Sequence, residues 1–389
     1  MEPPFARRMA SLGTETAFDV LARARALEAD GRKVIHLEMG EPDFRTPGFV
    51  VDAGVEALRA GWTKYGPAAG QPDLRAAVAE RTAARCGVPV SPEEVVVTPG
   101  AKPVLFHAFL ALVEEGDEVL LPDTGFPIYE SMARFTGGTC VTYRLPEARG
   151  FAPDPAEIAS LLTPRTKLLV LNSPGNPCGG VSTAEDLEAM AAAVRRSRSW
   201  ILSDEIYSDF VYEGVHASIL SRPGMKERTV LVDGFSKSWA MTGWRAGWGV
   251  MPAAMAAALT RLQINATSNA ASFTQRAGLA ALRGPHEAVD RMVAEFRARR
   301  DAFAAGLNTV KGFRCVPPRG AFYAFPSVRW TGLSSREAAS RILEEAGVAC
   351  VAGTAFGAGG EGFVRFSFAA SREALDGAVV RLQGLFGRA

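Results

Sequence analysis

The chain has 389 residues, of which 48% are hydrophobic and 22% charged, a balance typical of globular proteins. Its 43 basic and 42 acidic residues nearly cancel, so the composition indicates neither a nucleic-acid partner nor an anionic membrane surface. No apolar run is long enough to span a bilayer, and the first residues lack the apolar core of a signal peptide. The five cysteines are scattered with no CxxC pair, so we expect reduced thiols, no metal site and a cytoplasmic location.

Seven short apolar segments bounded by turn residues predict the strands of a buried sheet. They are residues 94–98, 118–121, 139–143, 167–171, 200–203, 229–232 and 246–250. Helical stretches such as residues 103–115 and 183–196 lie between most of them. This alternation predicts an α/β fold, with a mainly parallel seven-stranded sheet between helices in a large domain.

The last part of the chain has a different pattern. A long amphipathic helix is predicted at residues 287–308, followed by a strand pair near 312–326, a helix at 334–346 and a strand-helix unit from 362 onward. We therefore expect a large domain over residues 48–285. Residues 1–47 and 286–389 are expected to form an N-terminal arm and a smaller α+β domain.

Segments rich in glycine and polar residues follow five of the predicted strands, where an open parallel sheet binds its ligands. These segments carry Gly100-Ala101-Lys102 at a helix start, the loop DTGFP at 123–127 with Phe126, Asn176, Asp204 with Tyr207, and Ser236 with Lys237. Arg245 begins the next strand and offers a positive charge to a phosphate. Taken singly, each has an ordinary explanation, such as a glycine turn, an Asx-Pro turn or a surface lysine. Together they supply an anion site, a carboxylate, hydrogen-bond donors and an amine.

That set matches the four needs of pyridoxal 5′-phosphate, which carries a phosphate, a ring nitrogen, a phenolic oxygen and an aldehyde. At this point a family resemblance is visible in motifs along nearly the whole chain. They are GEPDF at 40–44, YGPAAG at 65–70, NSPGNP at 172–177, DEIY at 204–207, SKSWAMTGWR at 236–245, GAFY at 320–323 and VRFSF at 364–368. The chain resembles the class I/II aminotransferases of fold type I, specifically bacterial aspartate, aromatic or broad-range members.

The resemblance implies roles for the cofactor-binding residues. Lys237 would hold the cofactor as a Schiff base and move the substrate proton, while Asp204 would pair with the pyridinium nitrogen. Asn176 and Tyr207 would hydrogen-bond the phenolic oxygen, and Phe126 would stack on the ring. Main-chain and side-chain groups of five residues would surround the phosphate: Gly100, Ala101, Lys102, Ser236 and Arg245.

The resemblance also implies a homodimer with shared sites, because Tyr65 would reach the phosphate of the neighbouring subunit. Arg365 would bind the substrate α-carboxylate in a bidentate manner, with Asn176 and Gly40 beside it. Phe18 is expected near the pocket together with Glu15, and this pair favours neutral or aromatic substrates over aspartate. Gly234 departs from the family pattern, because many relatives carry a serine there that contacts the phosphate.

The leading interpretation is therefore an aminotransferase that moves an amino group from an L-amino acid to a 2-oxo acid. A C–S lyase, a decarboxylase or a related synthase with the same cofactor is the first alternative. A non-catalytic cofactor-binding regulator is less favoured, because such proteins carry a DNA-binding domain ahead of this fold, whereas only about 30 residues precede the predicted strand before Gly40.

Overall fold

The structure is a computed structural model that describes residues 5–389. Its α-helices are α1 (Thr16–Ala29), α2 (Gly48–Arg59), α3 (Pro72–Cys86), α4 (Lys102–Leu112), α5 (Ile128–Phe135), α6 (Pro155–Leu161), α7 (Ala184–Arg195), α8 (Ala253–Ala266), α9 (Ser272–Arg283), α10 (Glu287–Leu307), α11 (Ser335–Ala346) and α12 (Arg372–Phe386). Its strands are β1 (Ile35–His36), β2 (Val95–Thr98), β3 (Glu118–Pro122), β4 (Thr139–Tyr143), β5 (Thr166–Asn172), β6 (Trp200–Asp204), β7 (Thr229–Gly234), β8 (Gly247–Val250), β9 (Tyr323–Ala324), β10 (Val348–Ala349), β11 (Val351–Ala352) and β12 (Val364–Ser367). None of the helices among the described residues is long and apolar enough to cross a membrane.

A seven-stranded sheet with the order β2-β8-β7-β6-β5-β3-β4 forms the centre of the molecule. The five strands from β3 to β7 are joined by parallel pairings, and β8 runs antiparallel to both of its neighbours. The α/β class and the mainly parallel seven-stranded sheet are thus confirmed. All seven strands predicted for this sheet form, with ends within two residues of the expected positions.

Both faces of this sheet are covered, which explains its nearly continuous apolar strands. On β2, Val95 and Val97 pack in a cluster with residues of α2, α3 and α9, whereas Val96 packs with residues of α4, α5 and α8. On β3, Leu120 joins a further cluster with α6 and α7. Helices on both faces leave the carboxyl ends of the parallel strands as the open edge.

The remaining elements form two small sheets, β1-β10 and β11-β12-β9, around a core that includes Phe296, Phe303 and Phe366. The division at residues 48 and 285 stays a prediction, with α2 starting at Gly48 and α10 at Glu287. The prediction of a strand pair near residues 312–326 was wrong in its extent, because most of these residues form no strand. Only Tyr323–Ala324 joins a ladder, and Arg314 makes a single bridge to Ser327. Pro317 and Pro318 lack the N–H groups that a longer pairing would need.

Candidate active site

A cavity of about 540 Å³ opens where β5, β6 and β7 end. It brings together most of the residues singled out from the sequence. Those that line it are Phe18, Gly40, Ala101, Lys102, Phe126, Asn176, Asp204, Tyr207, Ser236, Lys237, Arg245 and Arg365. Of the predicted set, only Gly100 and Tyr65 lie outside this lining. A single site is therefore assembled from residues more than 300 positions apart.

The Lys237 amine is buried at the end of the segment that follows β7. Its Nζ donates a hydrogen bond of 2.6 Å to the carbonyl oxygen of Gly40. Burial lowers the pKa of Lys237 to about 8, while the carboxylate of Glu41 opposes this shift and the charge of Arg365 adds to it. A lowered pKa leaves a substantial fraction of the amine neutral, and therefore nucleophilic, just above neutral pH.

Asp204 ends β6 as a buried carboxylate. The Tyr129 hydroxyl donates to its Oδ2 at 2.7 Å, and the Ile206 N–H lies 3.3 Å from its Oδ1. Burial raises the pKa of Asp204 to about 6, the Tyr129 hydrogen bond lowers it, and Asp233 and Glu205 raise it further. Among residues 5–389 no basic side chain forms an ion pair with it. Such a carboxylate suits a protonated ring nitrogen, which would neutralise a costly buried charge.

Arg365 and Asn176 form the adjoining wall of the cavity. Arg365 Nη1 donates to Asn176 Oδ1 at 3.1 Å, and its Nη2 donates to the carbonyl oxygen of Glu38. The guanidinium lies over the Tyr323 ring, 4.6 Å from its centroid. Its buried Nε has no hydrogen-bond partner among the described residues. An unsatisfied buried donor on a cavity wall is suited to an acidic ligand such as a carboxylate.

Tyr207 lies in the same wall, and its hydroxyl is 2.6 Å from that of Tyr323. The predicted bond from Tyr207 to the phenolic oxygen of the cofactor stays a prediction. The side chain is in place at the cavity, with Tyr323 as a neighbour that orients it. The motif GAFY at 320–323 is part of the family resemblance, but the sequence predicts no role for its tyrosine.

The candidate phosphate site lies at the start of α4. Gly100 has φ +89°, a conformation that favours glycine, and a Cβ there would lie 2.3 Å from Arg245 Nη2. Arg245 itself has φ +55°, and its Nη1 donates to the carbonyl oxygen of Thr242 at 2.8 Å. Gly100 thus contributes backbone and space rather than a lining side chain. The backbone N–H groups at the start of α4 and the Arg245 guanidinium could together hold an anion.

Gly234, the departure from the family pattern, has a steric explanation. A Cβ at this position would lie 3.0 Å from Gly247 Cα and 3.2 Å from the carbonyl oxygen of Ala246. These distances are short because Gly234 of β7 lies directly opposite Gly247 of β8 in the sheet. A serine would have to push the two strands apart.

Tyr65 lies elsewhere on the surface. It is 89% exposed and borders a separate recess with Trp62, Asn269 and Phe273. Within one chain it therefore takes no part in the cavity, as expected for a residue predicted to serve a neighbouring subunit.

Two contacts in the cavity were not anticipated from the sequence. The first is Tyr129, in the first turn of α5, whose ring packs edge-on against that of Phe126 with the ring centroids 5.9 Å apart. The second is an ion pair between Lys102 and Glu15. Lys102 was predicted beside the phosphate, but its Nζ is engaged by Glu15 and lies 5.4 Å from the centroid of the Phe126 ring.

Comparison with known proteins agrees with this geometry. A model of the family described as aminotransferase class I and II matches residues 32–382. The aspartate aminotransferase of Geobacillus stearothermophilus is 39% identical over 384 residues, which cover 97% of each chain. An arginine–pyruvate transaminase of Pseudomonas aeruginosa is 36% identical, over 97% of this chain and 96% of its own. The solved structure of aspartate aminotransferase from Thermus thermophilus with maleate superposes with a TM-score of 0.93 at 39% identity, covering 97% of this chain and 98% of that one.

The fold and the site thus define an enzyme that transfers nitrogenous groups. The chain belongs to the family of class I and II aminotransferases. Members of this family depend on pyridoxal 5′-phosphate, and the predicted aminotransferase function and fold type are confirmed. The alternative of a non-catalytic regulator is set aside, because the chain is an enzyme.

Proposed function

We propose that the chain binds pyridoxal 5′-phosphate in this cavity through Lys237 and exchanges an amino group between an L-amino acid and a 2-oxo acid. The observation that supports this most is the joint placement of Lys237 and Asp204. A buried amine with a pKa near 8 and a buried carboxylate without a basic partner line the same cavity. Few ligands would satisfy both, whereas an aldehyde on a protonated pyridine ring does.

The other residues fit the remaining parts of that cofactor. Arg245, Ser236 and the N–H groups at the start of α4 would hold the phosphate. Phe126 would cover one face of the ring, and Asn176 with Tyr207 would bind the phenolic oxygen.

The cofactor, when bound, draws electrons away from the substrate Cα–H bond. Lys237 would be the base that takes up the proton of the substrate Cα and delivers it again, because its buried amine has a lowered pKa. Asp204 keeps the ring nitrogen protonated. Arg365 binds the substrate α-carboxylate through the donors on its cavity side, and Gly40 closes over it. Together they fix the Cα–H bond within reach of one amine, which accounts for much of the rate gain.

We further propose a homodimer with shared sites, in which Tyr65 of a second copy contacts the phosphate. The 89% exposure of Tyr65 supports this, as does the exposed apolar surface of Leu58 and Trp62 nearby. We also propose a cytoplasmic location, because the five cysteines are free thiols, as is usual in a reducing compartment.

The test is spectral. Protein loaded with pyridoxal 5′-phosphate should be yellow, lose that colour with an amino donor alone and regain it with a 2-oxo acid. A lyase or decarboxylase would instead release ammonia, pyruvate or carbon dioxide without an acceptor, and that outcome would replace transamination with the alternative.

Lys237→Ala should abolish the exchange and the borohydride-reducible link to the protein, while the exposed Lys311→Ala should keep both. A reducible link that survives at the same site in Lys237→Ala would refute the assignment. For the dimer, mixing inactive Lys237→Ala with a Tyr65→Ala variant should restore activity beyond that of either alone, and no gain would exclude shared sites.

A further inference from the structure

Four basic side chains line the active-site cavity: Lys102, Lys237, Arg245 and Arg365. Under the proposed function, Lys237 holds the cofactor, Arg245 serves the phosphate and Arg365 binds the α-carboxylate. A dicarboxylic substrate needs one more positive charge for its second carboxylate. Within the described residues of one chain, Lys102 is the basic side chain left in the cavity for that task.

Lys102 is already paired. Its Nζ forms an ion pair with Glu15, at the boundary where α1 begins. Glu15 occupies the N-cap position of that helix, but its side chain makes no capping hydrogen bond and reaches the lysine instead. Glu15 also lines the cavity, so the carboxylate faces the same space as the substrate.

The negative charge of Glu15 affects the pKa of other groups in the cavity. It opposes the lowering of the pKa of both Lys237 and Arg365, although burial dominates in each case. A second carboxylate, Glu41, lines the cavity as well and accepts a hydrogen bond from Thr242. Apart from the three basic residues that already have a proposed task, the cavity lining contains one basic residue, Lys102. It contains two glutamates, Glu15 and Glu41, in addition to Asp204. A substrate with an acidic side chain would have to displace Glu15 from Lys102. Its carboxylate would then lie close to the carboxylates of Glu15 and Glu41, which repel it.

The cavity lining also contains apolar residues. Phe18 and Ala17 lie within three residues of Glu15 in the chain, and Met39 and Leu105 line the same cavity. Phe18 is 55% exposed, so its ring is available to cover a substrate side chain. Apolar contacts of this kind favour hydrocarbon and aromatic groups.

From this geometry we propose that Glu15, by neutralising Lys102, sets the substrate class of the site: amino acids with uncharged, mainly apolar side chains in preference to dicarboxylic ones. The inference rests on the proposed function and specifies it. The pair is partly exposed, with 45% of the Lys102 and 27% of the Glu15 side chain accessible, so we expect it to change the relative affinity for acidic and uncharged substrates by up to about fivefold.

The test compares acidic and uncharged ligands in the loaded enzyme. Aspartate, glutamate, alanine, phenylalanine and arginine are offered singly, and the rate of colour loss gives kcat/KM for each half-reaction. Binding is measured separately by calorimetry, with the unreactive acids succinate and 3-phenylpropionate. Variants are Glu15→Gln, the double variant Glu15→Gln/Lys102→Met, and Glu345→Gln, which removes a carboxylate from an exposed ion pair with Arg341.

We expect the uncharged donors to be preferred by wild type. Glu15→Gln should raise the aspartate-to-phenylalanine ratio of kcat/KM by up to about fivefold and increase the affinity for succinate relative to 3-phenylpropionate by a similar factor. Adding Lys102→Met should cancel both gains, and Glu345→Gln should show neither. A wild-type preference for aspartate, glutamate or arginine, or a ratio that Glu15→Gln leaves unchanged, would overturn the inference. Failure of the proposed function would give a distinguishable result, because none of the amino donors would then cause loss of the yellow colour.

Discussion

The Tyr129 hydroxyl donates a 2.7 Å hydrogen bond to Asp204, the carboxylate that faces the candidate cofactor. Both groups are buried, so the bond is formed away from competing water. It stabilises the ionised form of Asp204 against the burial that raises its pKa. Under the proposed function, Tyr129 would thus be a positioning residue, which acts on the cofactor through Asp204.

We expect Tyr129→Phe to weaken cofactor binding. A hydrogen bond to a charged group contributes about 1.5–3 kcal/mol, so the dissociation constant of pyridoxal 5′-phosphate should rise by roughly tenfold or more. Equilibrium titration of cofactor-free protein at pH 8 measures this. Tyr143→Phe is the matched control, since that hydroxyl is equally buried but donates to the carbonyl oxygen of Val170 at 2.8 Å. Equal effects of the two variants on cofactor affinity would rule out the positioning role.

The lowered pKa of Lys237 predicts how capture of the cofactor depends on pH. The neutral amine is the form that attacks an aldehyde, and its fraction rises as the pH passes through about 8 instead of 10.5. The rate at which cofactor-free protein gains its yellow colour should therefore level off above pH 9. Stopped-flow absorbance over pH 6–10 checks this, and a rate still climbing at pH 10 would show that Lys237 titrates as an ordinary lysine.

Gly40 and Gly48 make a pair of glycine substitutions with opposite expectations. A Cβ on Gly40 would lie 2.0 Å from the Tyr323 hydroxyl, which is buried and bonded to Tyr207, whereas a Cβ on Gly48 would meet nothing within 4 Å. Gly40→Ala should therefore displace the segment that carries the hydrogen bond to Lys237, raising the KM for the amino donor at least tenfold. Gly48→Ala should leave KM unchanged. Similar KM values for the two variants would mean that the contact at residue 40 is easily relieved.

Asp204→Asn should stabilise the cofactor-free protein while it damages function. The folded-state pKa of Asp204, about 6, exceeds its ordinary 3.8, so the native state holds the proton more tightly than the unfolded chain. Stability is thus lost as the pH rises from about 4 to 6, and above that range the ionised carboxylate costs roughly 1–3 kcal/mol. Removing the charge should raise the free energy of unfolding at pH 8 and much less at pH 4. Urea denaturation at both values tests the sign, and destabilisation at pH 8 would contradict it.

The seven-stranded sheet could be predicted from the sequence because its strands are short apolar runs between turn residues, and each forms near its expected position. The residues at the strand ends followed from the same reasoning, since parallel strands bring their carboxyl ends to one edge. Asp204, Asn176 and Lys237 needed no more than this to be found.

What could not be predicted depends on contacts between distant segments. The Glu15–Lys102 ion pair joins residues 87 positions apart, and no local pattern distinguishes that glutamate from an exposed one. Tyr323 reaches the cavity from β9, a strand of two residues in a proline-rich stretch that was predicted to be longer. The early end of α4 at Leu112, short of the predicted residue 115, reflects the extended conformation of Val113. In each case tertiary packing decided the outcome.

The contacts of Arg365 have a consequence for biosynthesis. Its guanidinium joins Asn176, 189 residues earlier, and the carbonyl oxygen of Glu38, 327 residues earlier. Chains emerge from the ribosome N-terminus first, so the central sheet can form while this arginine has yet to be translated. Under the proposed function, a partly synthesised chain would therefore contain the residues proposed to bind the cofactor before it contains the arginine proposed to bind the substrate carboxylate. The order of synthesis would then delay amino-acid binding until the polypeptide is nearly finished.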